Sequence, residues 1–250
     1  MKKTLAIIMA VALLCIMAVG TTLSYFTDTE ADKNVMTVGK VDIIQTETDR
    51  AGNPLASNSL KLFPVTSDPD ASGLVPVANN GVDKFVNVKL AEGSEDAYVR
   101  TVFAFEMRKI NGKWQSPITN TLPNQGILHL VTEGNRSIDF PKDLIIYVDA
   151  SGKYSLNAEG AKAAYIIGFW YYGNDGLIEK GNTDPFTSLK QVYLGSRVGN
   201  GFYEQVGNSY EILVVSQAVQ AQGFANAEAA FAAAFPNDGM VDWFANVPTT

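Results

Sequence analysis

The chain has 250 residues and carries 19 lysines and arginines against 26 aspartates and glutamates, a formal net charge of −7. An acidic chain without a basic stripe is a poor candidate for binding nucleic acid or an anionic membrane surface. The single cysteine, Cys15, and the single histidine, His129, supply too few ligands for a zinc site built from cysteine and histidine.

The N-terminal stretch has the composition of a secretory signal peptide. Two lysines follow the initiator methionine, and residues 5–19 form an uncharged apolar run that is shorter than the roughly 20 residues of a membrane span. Small residues at the −3 and −1 positions predict cleavage between Ser24 and Tyr25, with Gly20 as a second candidate for the −1 residue. We therefore expect residues 1–24 to be removed and no membrane span to remain; a retained N-terminal anchor is the alternative.

After this stretch, short runs of Val, Ile, Tyr, Phe and Thr are separated by Gly, Asn, Asp and Pro, which is typical of strands joined by turns. The run FVNVKL places Val86, Val88 and Leu90 on one face, and YVRTVFAFEM sets Arg100 and Glu106 opposite an apolar face. Period two predicts a sheet with one buried face. The run AYIIGFWYYG is apolar on both faces, so we expect a central strand. Further strand candidates begin at Lys40, Leu144, Leu189 and Tyr210.

Helical signals are few. The segment GFANAEAAFAAAFPNDG is rich in alanine, stacks Ala227, Phe231 and Phe235 at helical spacing, and stops at Pro236, so it predicts a short helix with one apolar stripe. A second, weaker helix is predicted to begin at Asn157. Many strands without strand-helix alternation predict an all-β fold: a jelly-roll-like antiparallel β-sandwich with one or two short helices inserted. We expect one such domain over residues 38–250.

Candidate chemical sites are sparse. His129 lies in an alternating apolar run, which favours a structural role on a strand over catalysis. Residues 68–73, DPDASG, resemble half of a calcium loop, but position twelve is Asn79 instead of glutamate, and this favours a plain turn. The aromatic run 169–172 could form a sugar-stacking platform, although alternate rings of a strand face opposite ways. We therefore assign no catalytic, cofactor-binding or metal-ligating residue.

The stretch around the cleavage site, SYFTDTEADKNVMTVGKVDI, resembles the start of the TasA/camelysin family of secreted bacterial proteins. The shared pattern is a small residue, an aromatic pair, Thr or Asn, Asp, a polar stretch with Asn, and a strand that contains Gly and Asp. The matching positions are Ser24, Tyr25, Phe26, Thr27, Asp28, Asn34, Met36, Thr37, Gly39, Val41, Asp42 and Ile43. The blocks VKLAEGSEDAYVRTVFAFE, FWYYGNDGLIEKGNTDPFTSLKQVYL and VVSQAVQAQGF are also similar to longer members, whereas residues 109–163 match no part of the family and are interpreted as an insertion.

The resemblance implies a jelly-roll subunit of surface or biofilm-matrix fibres, secreted to the extracellular matrix or cell surface after cleavage by a SipW-type signal peptidase. The implied partners are other copies of the same chain, in a head-to-tail polymer, and an accessory matrix protein. Residues 25–37 would then be a donor strand that joins one subunit to the next by β-augmentation. Tyr25, Phe26, Thr27 and Asp28 are the residues implied in assembly.

Two alternatives stay open. Part of the family carries a metallopeptidase label, but the chain lacks a zinc-protease motif, and we do not expect an enzyme. The other alternative is a monomeric surface adhesin or carbohydrate-binding module that uses the region of Trp170 or residues 109–163.

Overall fold

The computed structural model describes residues 27–30, 41–55, 62–118, 128–141, 144–196 and 210–244. Within these ranges the chain is built mainly from antiparallel strands, with two short α-helices near the C-terminal side. The strands are β1 (Thr27–Glu30), β2 (Ile43–Thr48), β3 (Val82–Asp83), β4 (Phe85–Leu90), β5 (Ala97–Ile110), β6 (Lys113–Gln115), β7 (Leu128–Thr132), β8 (Ile145–Val148), β9 (Tyr154–Ser155), β10 (Ala163–Tyr171), β11 (Leu177–Ile178), β12 (Phe186–Thr187), β13 (Leu189–Leu194) and β14 (Ile212–Gln220). The helices are α1 (Ala227–Ala234) and α2 (Met240–Trp243).

The larger sheet has the strand order β1-β14-β5-β10-β8-β9, and the short strands β6 and β11 pair with the two ends of β5. The long strand β5 lies at its centre, with β14 on one side and β10 on the other. Valine, isoleucine and aromatic residues dominate these three strands, and such side chains pack well on a pleated surface. The expectation that the run AYIIGFWYYG forms a central strand is confirmed by β10.

The opposing layer consists of two three-stranded sheets, β12-β4-β2 and β3-β13-β7. They form one layer because β3 leads directly into β4 and β12 directly into β13. Backbone hydrogen bonds join the two sheets where these strands meet, from the Lys84 N–H to the Lys190 carbonyl and from the Ser188 N–H to the Val86 carbonyl, each 3.0 Å long. The chain is therefore an all-β, jelly-roll-like antiparallel sandwich, as the sequence predicts.

The main core lies between the two layers. Val86, Val88 and Leu90 of β4 are buried and face Phe103 and Phe105 of β5 within one apolar cluster. Their alternation with half-buried polar neighbours on β4 is the period-two pattern of the sequence. Burial of these side chains is the main favourable contribution to the stability of the sandwich.

A second apolar cluster covers the outer face of the larger sheet. Helices α1 and α2 pack there, and Phe231 and Trp243 contribute buried rings. The Asn226 side chain accepts a hydrogen bond from the Ala229 N–H at 2.9 Å and so caps α1, which ends before Pro236 as expected. The prediction that β5 has only one buried face is wrong, because a helix distant in sequence covers its other face.

One further expectation needs correction. No helix begins at Asn157: its side-chain oxygen accepts a hydrogen bond from the Glu159 N–H at 3.0 Å, and Gly160 has a positive φ of 72°. Such side-chain-to-backbone bonds compete with helix formation. Residues 109–163, interpreted from the sequence as an insertion, contain β6, β7, β8 and β9, which belong to both layers of the sandwich.

Candidate assembly interface

The N-terminal strand β1 forms one edge of the larger sheet. It pairs antiparallel with β14, with Thr27 opposite Val219 and Glu30 opposite Ser216. Thr27 and Asp28, two of the predicted assembly residues, therefore lie in an edge strand. Ser24, Tyr25 and Phe26 lie outside the described residues.

Strand β14 has an unequal pairing on its two sides. On one side, the register with β5 extends from Ile212 to Gln220. On the other side, β1 pairs only with residues 216–219, and among the described residues no other strand pairs with β14 there. A partly covered strand edge presents backbone N–H and C=O groups that another strand can bind.

Behind Ser216, a chain of polar side chains crosses the core between the layers. The Ser216 hydroxyl donates to Gln45 Oε1 on β2 at 2.5 Å and lies 2.9 Å from the Thr101 hydroxyl on β5. The Thr101 hydroxyl lies 2.6 Å from that of Tyr172, which donates to the Ser188 hydroxyl at 3.0 Å. Burial raises the pKa of Tyr172 to about 12, so the phenol stays protonated. This network connects β14, the neighbour of the edge strand β1, to both layers.

On the opposite face of β14, Gln217 contacts a buried arginine. The Arg100 Nε–H donates to Gln217 Oε1 at 2.9 Å, and the guanidinium carbon lies 4.4, 4.2 and 5.2 Å from the ring centroids of Phe169, Phe231 and Trp243. Burial lowers the pKa of Arg100, although arginine keeps its charge in proteins. Three aromatic faces attract that charge through cation–π interactions, and so Arg100 holds the helices against the sheet.

Sequence reasoning placed Arg100 on the less buried face of β5 and did not single out Gln217. The sequence pattern that could have identified both residues is a polar residue inside an otherwise apolar strand. Gln217 follows the run ILVVS, and Arg100 lies between Val99 and the run TVFAF. A polar residue inside an apolar strand must find a buried hydrogen-bond partner. That pattern alone does not show which two strands are neighbours.

A cleft at one end of the sandwich combines the Trp170 region with residues 109–163. It has a volume of about 320 Å³ and is lined by Trp170, Glu133 and Arg136, among others. Trp170 is only 3% exposed: it packs in the inner core, and the Arg136 guanidinium lies over its ring at 4.6 Å. Trp170 and Tyr172 face the inner core and Phe169 the outer cluster, so the aromatic run does not form a shared platform.

The other candidate sites from the sequence, His129 and residues 68–73, form contacts that are typical of a structural role. His129 is on β7 and stacks on Tyr193, with ring centroids 4.7 Å apart. In residues 68–73, the Asp70 carboxylate accepts a hydrogen bond from the Ser72 N–H at 2.8 Å, and Gly73 has a positive φ of 79°, as in a tight turn. Across the described ranges, no group of three or more His, Cys, Asp or Glu residues is arranged to hold a metal ion.

Two carboxylates meet at the opposite end of β5 from Arg100. Glu106 accepts a hydrogen bond from the Glu211 N–H at 3.0 Å and pairs with Arg108 at 2.7 Å. The Tyr165 hydroxyl donates to the Glu211 carboxylate. Burial raises the pKa of Glu106, and nearby Glu211 acts in the same direction. Both carboxylates are engaged by neighbouring groups of the fold.

Comparisons with family models, with curated proteins and with solved structures find no match for this chain. The resemblance to the TasA/camelysin family therefore stays a prediction. In the part of the chain that the structure describes, no helix reaches the length and apolarity that a membrane span requires.

Proposed function

We propose that the protein is a secreted structural subunit of extracellular, biofilm-matrix-type fibres, which assembles head to tail by exchange of its N-terminal strand. The observation that carries this proposal is the position of β1. A four-residue segment, three residues after the predicted end of the signal peptide, forms the edge strand of the larger sheet. A strand in that position can leave its own sheet without disturbing a central pairing.

Exchange of β1 between subunits keeps main-chain hydrogen bonds between β1 and a β14 strand. If β1 leaves β14 of its own chain and pairs with β14 of the next, main-chain hydrogen bonds of the same kind form again. Residues 31–40 separate β1 from Val41, and a ten-residue segment spans about 33 Å when extended. That length is enough to reach a neighbouring subunit.

Loss of β1 also exposes the edge of β14 that would accept a donor strand. Residues 216–219, whose side chains are fully buried while β1 is paired, would then present unpaired backbone groups along the edge. Such an edge is a template for a strand from another copy. Each subunit would thus offer one donor strand and one acceptor edge, and repeated head-to-tail pairing produces an open polymer.

The test compares a chain that begins at Tyr25 with one that begins at Val38. Both are purified, checked for the same β-rich circular dichroism spectrum, and imaged by electron microscopy. We expect fibres from the longer chain and none from the shorter one, which should instead bind a synthetic peptide of residues 25–37. The same fibres from the shorter chain would disprove strand exchange.

The two alternatives give different outcomes in the same preparation. A monomeric binding module predicts light scattering of a monomer under all conditions. A metallopeptidase predicts chelator-sensitive cleavage of casein that is abolished by His129→Ala. The cleft at Trp170 does not favour the first alternative, because Arg136 covers the ring, and His129 is stacked on Tyr193.

A further inference from the structure

Two buried hydrogen-bond donors beside the assembly edge have no partner. They are Arg100 Nη2 and Gln217 Nε2, in side chains that belong to residues 4% and 0% exposed. Among the described residues, no carboxylate forms an ion pair with Arg100. The Arg100 charge is met by aromatic rings and by Tyr171 but by no carboxylate of the described ranges. Because an unpaired buried donor destabilises a fold, this location favours an acceptor with a negative charge.

In the register of β1 with β14, neither acidic residue of β1 lies opposite Gln217. Asp28 is registered opposite Ala218 and Glu30 opposite Ser216, both on the face of β14 that belongs to the core between the layers. Thr29 is registered opposite Gln217. Within one chain, a threonine position therefore faces the location where a carboxylate would be favourable.

We propose that the strand donated by a second copy of the chain pairs with β14 one residue out of this register, so that Asp28 lies opposite Gln217 and its carboxylate accepts a hydrogen bond from Gln217 Nε2. The proposal rests on the proposed function and adds the register and the recognition group of the acceptor edge. The carboxylate would also place a negative charge near Arg100, through the Gln217 side chain that already binds it.

A shift of one residue moves every side chain of a strand to the other face of the sheet. In the shifted register, Thr27 lies opposite Ala218 and Thr29 opposite Ser216, which replaces both acidic residues on the core side. The shifted register therefore exchanges both acidic residues on the core side of β14 for threonines and brings Asp28 opposite Gln217, while Glu30, at the end of β1, lies opposite the buried Val215.

The two registers can differ because the two strands are tethered differently. Within one chain, β1 is joined through residues 31–42 to β2 of the same subunit. A donated strand is not tethered to the β2 of the subunit that it enters, so side-chain pairing alone sets its register. This difference favours the exchanged fibre over the closed monomer.

Cross-linking between two pools of subunits measures the register directly. One pool carries Thr27→Cys, and the other carries Ala218→Cys or, in the matched control, Val219→Cys; the only native cysteine, Cys15, lies in the predicted signal peptide. After co-assembly and mild oxidation, the shifted register predicts a disulfide-linked dimer with Ala218→Cys. A cross-link mainly with Val219→Cys would show the register of the single chain and would overturn the proposal.

Substitutions in the donor test the recognition group. Asp28→Ala and Glu30→Ala each remove one negative charge from β1. We expect Asp28→Ala to raise the critical concentration for assembly by about tenfold or more, as for loss of a charge-assisted hydrogen bond, and Glu30→Ala to change it by less than about twofold. In a Gln217→Met background, Asp28→Ala should have no further effect.

The outcomes separate the two proposals. If the wild-type chain that begins at Tyr25 forms no fibres, the proposed function fails, and the shifted register fails with it. If fibres form but Asp28→Ala and Glu30→Ala have equal effects, or the effect of Asp28→Ala persists without the Gln217 amide, only the shifted register is wrong. Thermal unfolding of each monomer shows that the variants are folded.

Discussion

Asp83 on β3 is the most informative single position for the stability of the sandwich. Its carboxylate accepts hydrogen bonds from Arg50 Nε at 2.6 Å, Arg50 Nη2 at 2.7 Å, the Arg50 N–H at 3.2 Å and Gln191 Nε2 at 3.0 Å. These bonds connect the segment after β2 to β13. We expect Asp83→Asn to destabilise the protein strongly, because the amide cannot form the ion pair and its NH2 group would face partners that are all N–H donors.

The magnitude follows from the burial of the two partners. Removing one partner of a fully buried ion pair costs about 3–5 kcal/mol. Asp83 is 5% exposed, but the Arg50 side chain is 35% exposed, so solvent screens part of the attraction and we reduce the expected loss to about 2–3 kcal/mol. For a domain of this size, such a loss corresponds to a fall in Tm of about 5–10 °C.

The pH dependence gives an independent check. Burial acts to raise the pKa of Asp83, but hydrogen bonds from Arg50 and Gln191 outweigh it, and the net effect is a lowered pKa. A carboxyl whose folded pKa is lower than its unfolded pKa contributes stability that is fully present above the unfolded value of about 3.9 and is lost as the pH falls through the folded value. The stability difference between wild type and Asp83→Asn should therefore be constant from pH 5 to 7 and shrink below about pH 4.

Urea unfolding monitored by tryptophan fluorescence measures both the loss of stability in Asp83→Asn and its dependence on pH. The matched control is Glu133→Gln, whose carboxylate pairs with Lys190 and is 51% exposed; a surface pair of this kind contributes at most about 1 kcal/mol. Equal midpoints for Asp83→Asn and Glu133→Gln at pH 7, or a difference that does not shrink in acid, would refute the reasoning.

The remaining predictions use the same unfolding assay. Tyr172→Phe should destabilise by about 1–2 kcal/mol, because two buried hydroxyl groups lose a hydrogen-bond partner; no change in midpoint would argue against the core network. Gly168→Ala should cost about 1–3 kcal/mol through overpacking, since its methyl group would lie 2.6 Å from Ile138 Cγ2; a neutral result would mean that the segment with Ile138 and Phe140 moves away from β10 at little cost. Asn226→Ala should cost about 1 kcal/mol and Asn226→Asp much less, because only the latter keeps the acceptor that caps α1; equal losses would exclude the cap.

The strands and the main helix were predictable because their signals are local. Alternation in β4 and the two apolar faces of β10 follow directly from the sequence, and α1 follows from helical spacing and Pro236. The helix expected at Asn157 failed for a local reason as well: its side chain and Gly160 stabilise a turn. Alanine and lysine content suggested more helix than those two residues allow.

The surroundings of Arg100 were not predictable, because they depend on contacts between distant segments. A charged residue in an alternating strand ordinarily faces solvent, but α1, more than a hundred residues later in the chain, covers it.

The assembly edge was not predictable from the sequence either, for the same reason. The sequence identifies Thr27 and Asp28 as part of an extended segment near the cleavage site, whereas the pairing of β1 with β14 depends on the order of the strands in the sheet.

The most direct test of the proposed function is a cryo-electron microscopy reconstruction of fibres grown from the chain that begins at Tyr25. Strand exchange predicts that the strand beside Ser216–Val219 of each subunit comes from the neighbouring subunit and connects to that neighbour's own β2. A reconstruction in which every β1 remains on the β14 of its own chain, with subunits joined through another surface, would contradict the account.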